Sequence, residues 1–187
     1  MRTGSLLILL LTGSLAAGVS SLSGQGVARV SGHYTDQQLG TIGSFTLPRT
    51  LLYDKANHLV PHEAWPEELA EVKKRVGDAY CCVSKEGATN PDGGPPKDCV
   101  KLYYGTDIAE SFKGLLDADG SPITLKSLPS HKWLLVEYFA TWCQPCVDER
   151  RALEKFFATT RNSKDYLWLS IDMSRLSDVQ AAAKKPK

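Results

Sequence analysis

The stretch that decides the fold runs from Trp133 to Glu149 and reads WLLVEYFATWCQPCVDE. Its first part, Trp133 to Ala140, is apolar, has the length of a strand and is interrupted only by Glu137, which predicts a strand covered on both faces. After the two cysteines, apolar side chains recur at helical spacing with charged residues between them, which predicts an amphipathic helix. The pattern therefore indicates a buried strand that delivers a dithiol to the first turn of a helix.

Other segments supply further strands and helices. Tyr166 to Ile171 is apolar and predicts a second strand, and Pro66 to Val76 predicts a helix with acidic residues in its first turn. Phe45 to Tyr53 has the composition of a strand, but Pro48 restricts it to an edge strand or an irregular segment. Phe112 to Leu128 predicts a hairpin. Strands that alternate with helices indicate an α/β fold with a parallel core.

Length and charge limit the function. A chain of 187 residues holds one ordinary domain with an appendage, and its 22 basic and 21 acidic residues give a net charge of +1. Because a nucleic-acid-binding surface needs clustered positive charge, the sequence predicts no nucleic-acid partner.

The N-terminus has the layout of a secretory signal peptide. Arg2 precedes an apolar segment from Leu6 to Leu11, and small residues follow, so residues 1–23 are predicted to be a signal peptide. The predicted location is periplasmic or secreted, with an uncleaved membrane anchor as the alternative. A membrane would be a partner only in that second case.

Three regions are predicted after the signal peptide. Residues 24–43 are small and polar without a sustained period, which predicts a linker or disordered arm. Residues 44–110 form a predicted N-terminal extension with a disulfide of its own, and residues 111–187 contain the dithiol domain.

The cysteines Cys81, Cys82 and Cys99 lie in the predicted extension. In an oxidising compartment a disulfide from Cys81 or Cys82 to Cys99 would close the Gly- and Pro-rich loop between them, and we assign it to Cys82 and Cys99. Closing a loop of that size is worth about 3 kcal/mol. A vicinal Cys81–Cys82 ring, metal ligation and free thiols are the alternatives, and five cysteines leave one unpaired in any scheme.

The motif Cys-Gln-Pro-Cys predicts redox chemistry. At a helix N-terminus, free backbone N–H groups favour a thiolate, so Cys143 is predicted to be the attacking nucleophile, with a pKa below the usual ~8.5. Cys146, one turn deeper, would resolve the mixed disulfide. Pro145 stiffens the turn and Gln144 adds no charge. A structural disulfide is the plain alternative.

A metal site is not predicted, because the chain has no second cysteine pair of this spacing and its histidines, at positions 33, 58, 62 and 131, are scattered. The sequence likewise predicts no cofactor.

These residues resemble the thioredoxin superfamily, and most closely its exported TlpA/ResA-like branch. The resemblance covers about residues 112–185, through DADGSPITLKSLPSHKWLLVEYFATWCQPC and YLWLSIDM. It implies that Trp142 and Pro145 shape the site, that Glu137 lies where thioredoxins have a buried acid beneath the dithiol, and that Glu149 lies where this branch has a proton-transferring acid. The plain alternatives are a paired strand acid for Glu137 and a solvated helix residue for Glu149.

The resemblance also implies elements that do not follow Cys146 in this sequence. Members of the family continue to a cis-proline loop that faces the dithiol, two antiparallel strands and a last helix. Here a lysine-rich tail ends at Lys187, so the thioredoxin-like domain over 111–187 is predicted to be partial. Either the sequence is incomplete or the N-terminal region substitutes for the lost part.

The sequence therefore predicts an exported thiol–disulfide oxidoreductase that exchanges disulfides with protein substrates and with an unidentified redox partner. The alternative is a non-enzymatic secreted interaction protein with a truncated or degenerate thioredoxin-like domain. Copper delivery and two-cysteine peroxidase activity are disfavoured, because the cysteine spacing and the motifs that they require are missing from the sequence.

Overall fold

A computed structural model of the protein describes residues 26–42, 45–84, 87–89 and 108–175. The strands of this part are β1 (Ala28–Tyr34), β2 (Phe45–Leu47), β3 (Arg49–Asp54), β4 (Cys81–Ser84), β5 (Gly87–Thr89), β6 (Leu115–Leu116), β7 (Trp133–Phe139) and β8 (Tyr166–Asp172). The α-helices are α1 (Asp36–Leu39), α2 (Glu67–Val76), α3 (Ile108–Phe112) and α4 (Gln144–Thr159). Short 3₁₀ turns occupy His62–Ala64, Leu125–Ser127 and Ser163–Asp165.

The main sheet has five strands in the order β3-β7-β8-β1-β6. Strands β7, β8 and β1 run parallel, and the edge strands β3 and β6 are antiparallel to their neighbours. The predicted α/β class is therefore confirmed, with a mixed sheet around a parallel centre. Strands β7 and β8 are almost continuously apolar because both of their faces are buried.

Helices α2 and α4 pack together on one face of the sheet. Their apolar residues cover Leu52, Leu135 and Trp168 from three neighbouring strands. On the other face, α1, α3 and a second sheet of order β2-β4-β5 cover Leu134, Val136 and their neighbours. The predicted helix over Pro66 to Val76 is confirmed as α2, and the segment Phe45 to Tyr53 contains an edge strand, β3.

The predicted linker over residues 24–43 is wrong, because this region contains β1, which lies between β8 and β6 in the sheet. Strand β1 is hard to recognise because most of its exposed positions are polar and one of its two buried positions is Gly32. A Cβ at Gly32 would lie 2.9 Å from the Leu115 side chain, so the lack of a side chain there permits close packing.

The predicted division between residues 110 and 111 does not separate two bodies. Strands β1 and β3 precede it and β7 and β8 follow it, yet all four are neighbours in one sheet. Residues 45–54 are therefore part of the fold that carries the dithiol rather than an independent extension.

Several predictions lie outside the described residues. These are the signal peptide over 1–23, the loop that contains Cys99 and the chain from Leu176 onward. Within the described ranges, no helix is both long enough and apolar enough to cross a bilayer.

The role of β1 can be tested with Gly32→Val. The added side chain collides with Leu115 and Ile123, so we expect a loss of about 1–3 kcal/mol in the free energy of unfolding, measured with urea. The matched control is Ser31→Val, at the neighbouring exposed position, which should change stability by no more than about 0.5 kcal/mol. Equal stability of the two variants would show that β1 is not packed in the sheet.

Candidate functional site: a buried cysteine centre

The dithiol lies where β7 ends and α4 begins. Cys143 is the residue that precedes the helix, and the Cys146 N–H donates to the Cys143 carbonyl at 3.0 Å. Pro145 is buried in the first turn, where its lack of an N–H costs nothing. Gln144 is exposed and donates to Asp148 at 2.9 Å. The structure thus places both cysteines at the predicted helix start.

Trp142 closes one side of this turn. Its indole N–H donates to the Ser174 carbonyl at 2.9 Å, and the Thr141 N–H donates to the Ser174 hydroxyl, also at 2.9 Å. The segment after β8 is therefore tied to the residue that precedes Cys143.

Cys143 forms a disulfide with Cys81 on β4, with a Cα–Cα distance of 5.9 Å. The sequence did not predict this bond, and the predicted nucleophile is buried, because Cys143 is 0% exposed. Cys146 is a free thiol and is 1% exposed. Cys82 is disulfide-bonded as well, and Cys99, its predicted partner, lies outside the described residues.

Strand pairing explains why Cys81 meets Cys143. Strand β4 pairs with β2 so that Cys81 lies opposite Leu47. The Leu47 carbonyl oxygen is 3.5 Å from the Cys143 sulfur, so β2 holds Cys81 beside the start of α4. The pairing β3–β7 then fixes the position of β2, since Pro48 alone separates β2 from β3.

The same segment covers the side of the dithiol that the sequence analysis left open. Leu47 contacts the Cys143 sulfur, and the Leu47–Pro48 peptide bond is cis. The covering residue Leu47 lies 96 positions before Cys143 in the sequence, as expected if the N-terminal region substitutes for the part that does not follow the motif.

Burial controls the acidity of Cys146. The pKa of this thiol is raised to about 12, chiefly by loss of hydration and also by the charges of Glu149 and Glu137. A backbone hydrogen bond from Ala140 and the charge of Lys73 oppose the shift. A thiol with this pKa is protonated at neutral pH. Nucleophilic attack by Cys146 therefore requires a group that takes its proton.

Glu137 is a suitable proton acceptor. It is 0% exposed, and its Oε2 accepts hydrogen bonds from Trp168 Nε1 at 2.9 Å and from Ser170 Oγ at 3.1 Å. Arg150 lies 3.9 Å from the same oxygen, whereas Oε1 has no hydrogen-bond partner among the described residues. Burial raises the pKa of Glu137 to about 7, so it exchanges a proton near neutral pH.

Glu149 has a different environment. It is 1% exposed, forms an ion pair with Lys73 Nζ at 2.6 Å and accepts a hydrogen bond from the Thr50 hydroxyl. The alternative that Glu149 is a solvated helix residue is therefore wrong. Both oxygens of Glu149 have partners, whereas Glu137 has one oxygen without a partner among the described residues and a raised pKa.

The two carboxylates meet beneath α4 because of strand register. Thr50 of β3, Glu137 of β7 and Ser170 of β8 lie opposite one another and form a polar row across the sheet. The Thr50 hydroxyl donates a hydrogen bond to Glu149 at one end of the row, and the Ser170 hydroxyl donates one to Glu137 at the other.

A groove of about 650 Å³ opens beside the site. Its lining includes Pro48 and Thr50, Lys73 of α2, and Tyr80, the residue before Cys81. Four features of the site were not predicted from the sequence: Leu47, Thr50, Lys73 and the role of Cys81. The cysteine count left one cysteine unpaired and so hinted at Cys81, but no local pattern marks the other three.

Neither a metal-binding group nor a similar protein was found. Within the described residues, no group of three or more His, Cys, Asp and Glu side chains could hold a metal ion. Comparison of the chain with known protein families, characterised proteins and solved structures finds no match.

The ion pair beneath the site can be tested with Lys73→Met. This change leaves Glu149 buried without its cation, so we expect a loss of about 3 kcal/mol in the free energy of unfolding. The control is Lys74→Met, whose side chain is 80% exposed, with a change of no more than about 0.5 kcal/mol. A second change, Glu149→Leu, should restore much of the stability lost in Lys73→Met. Equal effects at positions 73 and 74 would contradict the buried pair.

The raised pKa of Glu137 predicts a pH effect on stability. Between pH 4.5 and about 7 the folded carboxyl keeps its proton while the unfolded one loses it, so stability falls as pH rises through this window. From pH 5 to pH 8 the wild type should lose roughly 2–3 kcal/mol more than Glu137→Gln, measured by urea unfolding. The exposed control Glu63→Gln should follow the wild type. Parallel curves for the wild type and Glu137→Gln would contradict a raised pKa.

Proposed function

We propose that this chain is an exported thiol–disulfide oxidoreductase that exchanges disulfides with protein substrates through Cys143 and Cys146. The observation that carries the proposal is the free, buried thiol of Cys146, one helical turn from a sulfur that is already in a disulfide. A thiol next to a disulfide at a helix N-terminus is the arrangement that thiol–disulfide exchange requires.

We also propose that the fold is thioredoxin-like with its parts in a different chain order. The resemblance implies a cis-proline loop, two antiparallel strands and a last helix after the dithiol part. Here a cis-proline at Pro48, the antiparallel strand β3, an antiparallel bridge between Tyr53 and Leu59, and α2 precede it in that same order. Helix α2 packs on α4, and Leu47 lies against Cys143, which supports the correspondence.

The proposed reaction starts from reduced Cys143 and Cys146. The Cys143 thiolate attacks a substrate disulfide, forms a mixed disulfide and releases one substrate thiolate. Cys146 then loses its proton, and its thiolate attacks the Cys143 sulfur, which releases the second substrate thiolate. The chain is left with one disulfide, the substrate gains two electrons and two protons, and an external dithiol restores the starting state.

Glu137 is the proposed acceptor of the Cys146 proton. A base with a pKa near 7 is ionised often enough at neutral pH to accept a proton and acidic enough to release it again. Glu149 is the weaker candidate, because both of its oxygens already have partners, the Thr50 hydroxyl and Lys73. The resemblance placed the proton-transferring acid at Glu149 instead.

A second function has its own support. Both bonded residues, Cys81 and Cys143, are 0% exposed, so a folded substrate cannot reach their sulfur atoms without movement of the chain. This favours the non-enzymatic secreted interaction protein, in which the disulfide is a structural link. The two functions differ in whether Cys143 is needed for turnover.

Export and partners follow from the sequence rather than from the site. We propose a periplasmic or secreted location from the N-terminal segment, with an unidentified redox partner and no nucleic-acid partner. An oxidising compartment is compatible with the disulfide at Cys81.

Cys143→Ser tests the function through the reduction of insulin by dithiothreitol, followed by turbidity. Because serine cannot form the mixed disulfide, we expect the rate to fall to the uncatalysed background. The double variant Cys81→Ala, Cys146→Ser removes both cysteines next to Cys143 and should accumulate a trapped mixed disulfide, seen on non-reducing gels. The exposed α4 variant Lys155→Gln should match the wild type. Equal rates for folded wild type and Cys143→Ser would overturn the proposed function.

A further inference from the structure

We propose that Cys81 is a third redox-active cysteine, and that Cys143 alternates between a disulfide with Cys81 and a disulfide with Cys146. This inference rests on the proposed function, because it assigns a partner to the same nucleophile. It adds a residue that lies 62 positions before the motif and outside its cysteine spacing.

The first support is the position of the three sulfur-bearing residues. Cys81, Cys143 and Cys146 belong to one buried cluster, in which Cys143 is bonded to Cys81 and lies one helical turn from Cys146. The pairing of Cys81 with Leu47 places it against the helix start. Cys143 is therefore adjacent to two possible partners at once.

The second support is the state of Cys146. A structural link between β4 and α4 needs two cysteines, and a third thiol beside it allows that link to be exchanged. Cys146 is 1% exposed, so soluble oxidants and alkylating reagents have little access to it. Its accessible reaction is an internal one, with the Cys143 sulfur.

The exchange balances without another reactant. Cys146 loses its proton, its thiolate attacks the Cys143 sulfur, the Cys81–Cys143 bond breaks, and Cys81 leaves as a thiolate that takes up a proton. One disulfide and one thiol are present before and after, so no electrons are gained or lost. An external dithiol is required only to reduce the remaining disulfide.

The charges around Cys146 make this exchange slow at neutral pH. Glu149 of its own helix and Glu137 of β7 disfavour the thiolate, and Lys73 of α2 favours it. The form with Cys81 bonded to Cys143 is therefore long-lived, and it keeps the nucleophile covered. Because the thiolate fraction rises about tenfold per pH unit below the thiol's pKa, alkaline pH should speed the conversion by the same factor.

A partner protein can reach the residues that control this exchange through the groove of about 650 Å³ beside the site. Three consecutive residues before Cys81, from Asp78 to Tyr80, line the groove together with Pro48. A protein bound there contacts the segment that carries Cys81 and the segment that holds Leu47 against Cys143. Cys81 is thus an internal substitute for the substrate thiol, held in place until the exchange releases it.

Disulfide mapping of the full chain tests the inference. Protein purified without reductant at pH 6 is held at pH 7 or pH 9, quenched with acid, alkylated in denaturant near pH 6 and digested for mass spectrometry. We expect the Cys81–Cys143 peptide pair with alkylated Cys146 at first, and then a growing fraction of the Cys143–Cys146 peptide with alkylated Cys81. The conversion should be about a hundredfold faster at pH 9 than at pH 7.

Two variants fix the two forms. Among these three cysteines, Cys146→Ala should form only Cys81–Cys143, and Cys81→Ala should form only Cys143–Cys146. The wild-type measurement stands even if a variant does not fold. Wild type that keeps Cys81–Cys143 at every pH would overturn the inference, and so would wild type that shows Cys143–Cys146 alone with Cys81 free.

The two proposals fail in different ways. If mapping shows one fixed disulfide while Cys143→Ser still loses turnover, the third-cysteine inference fails and the function stands. If both disulfide forms appear but Cys143→Ser retains full turnover, the exchange stands and the function fails.

Discussion

The site depends on the pairing of β7 along both of its edges. This strand is buried on both faces, so it needs a neighbour on each side, and the neighbours are β8 and the N-terminal strand β3. Because β3 follows β2 after a single residue, this pairing places Leu47 against Cys143. Strand β4 then pairs with β2 and presents Cys81. One strand contact thus assembles the cysteine centre from two distant parts of the chain.

The two buried carboxylates, Glu137 and Glu149, lie in different electrostatic environments. Glu149 has a lysine partner, whereas Glu137 has a partly satisfied carboxyl whose pKa lies near 7. Burying both acids costs stability, and the arrangement makes sense where a thiol of very high pKa must lose a proton. The stability of the fold and the reactivity of Cys146 therefore depend on the same polar row beneath α4.

The sequence predicted the elements whose signals are local. β7, α2 and the start of α4 follow from apolar periodicity and from the motif around Cys143. Strand β1 was missed because Gly32 takes a buried position without an apolar side chain. The Cys81–Cys143 bond and the Lys73–Glu149 pair join residues 62 and 76 positions apart. Such contacts are set by sheet order, which no local pattern encodes.

The central claim is that residues N-terminal to the predicted dithiol domain complete its sheet and its site. It is tested most directly by urea unfolding of the fragment 111–187 beside the full chain, followed by far-ultraviolet circular dichroism. Without β1 and β3, strands β7 and β8 each lose a neighbour, so we expect no cooperative transition from the fragment and a single one from the full chain. A fragment that unfolds cooperatively and catalyses insulin reduction as well as the full chain would contradict the account.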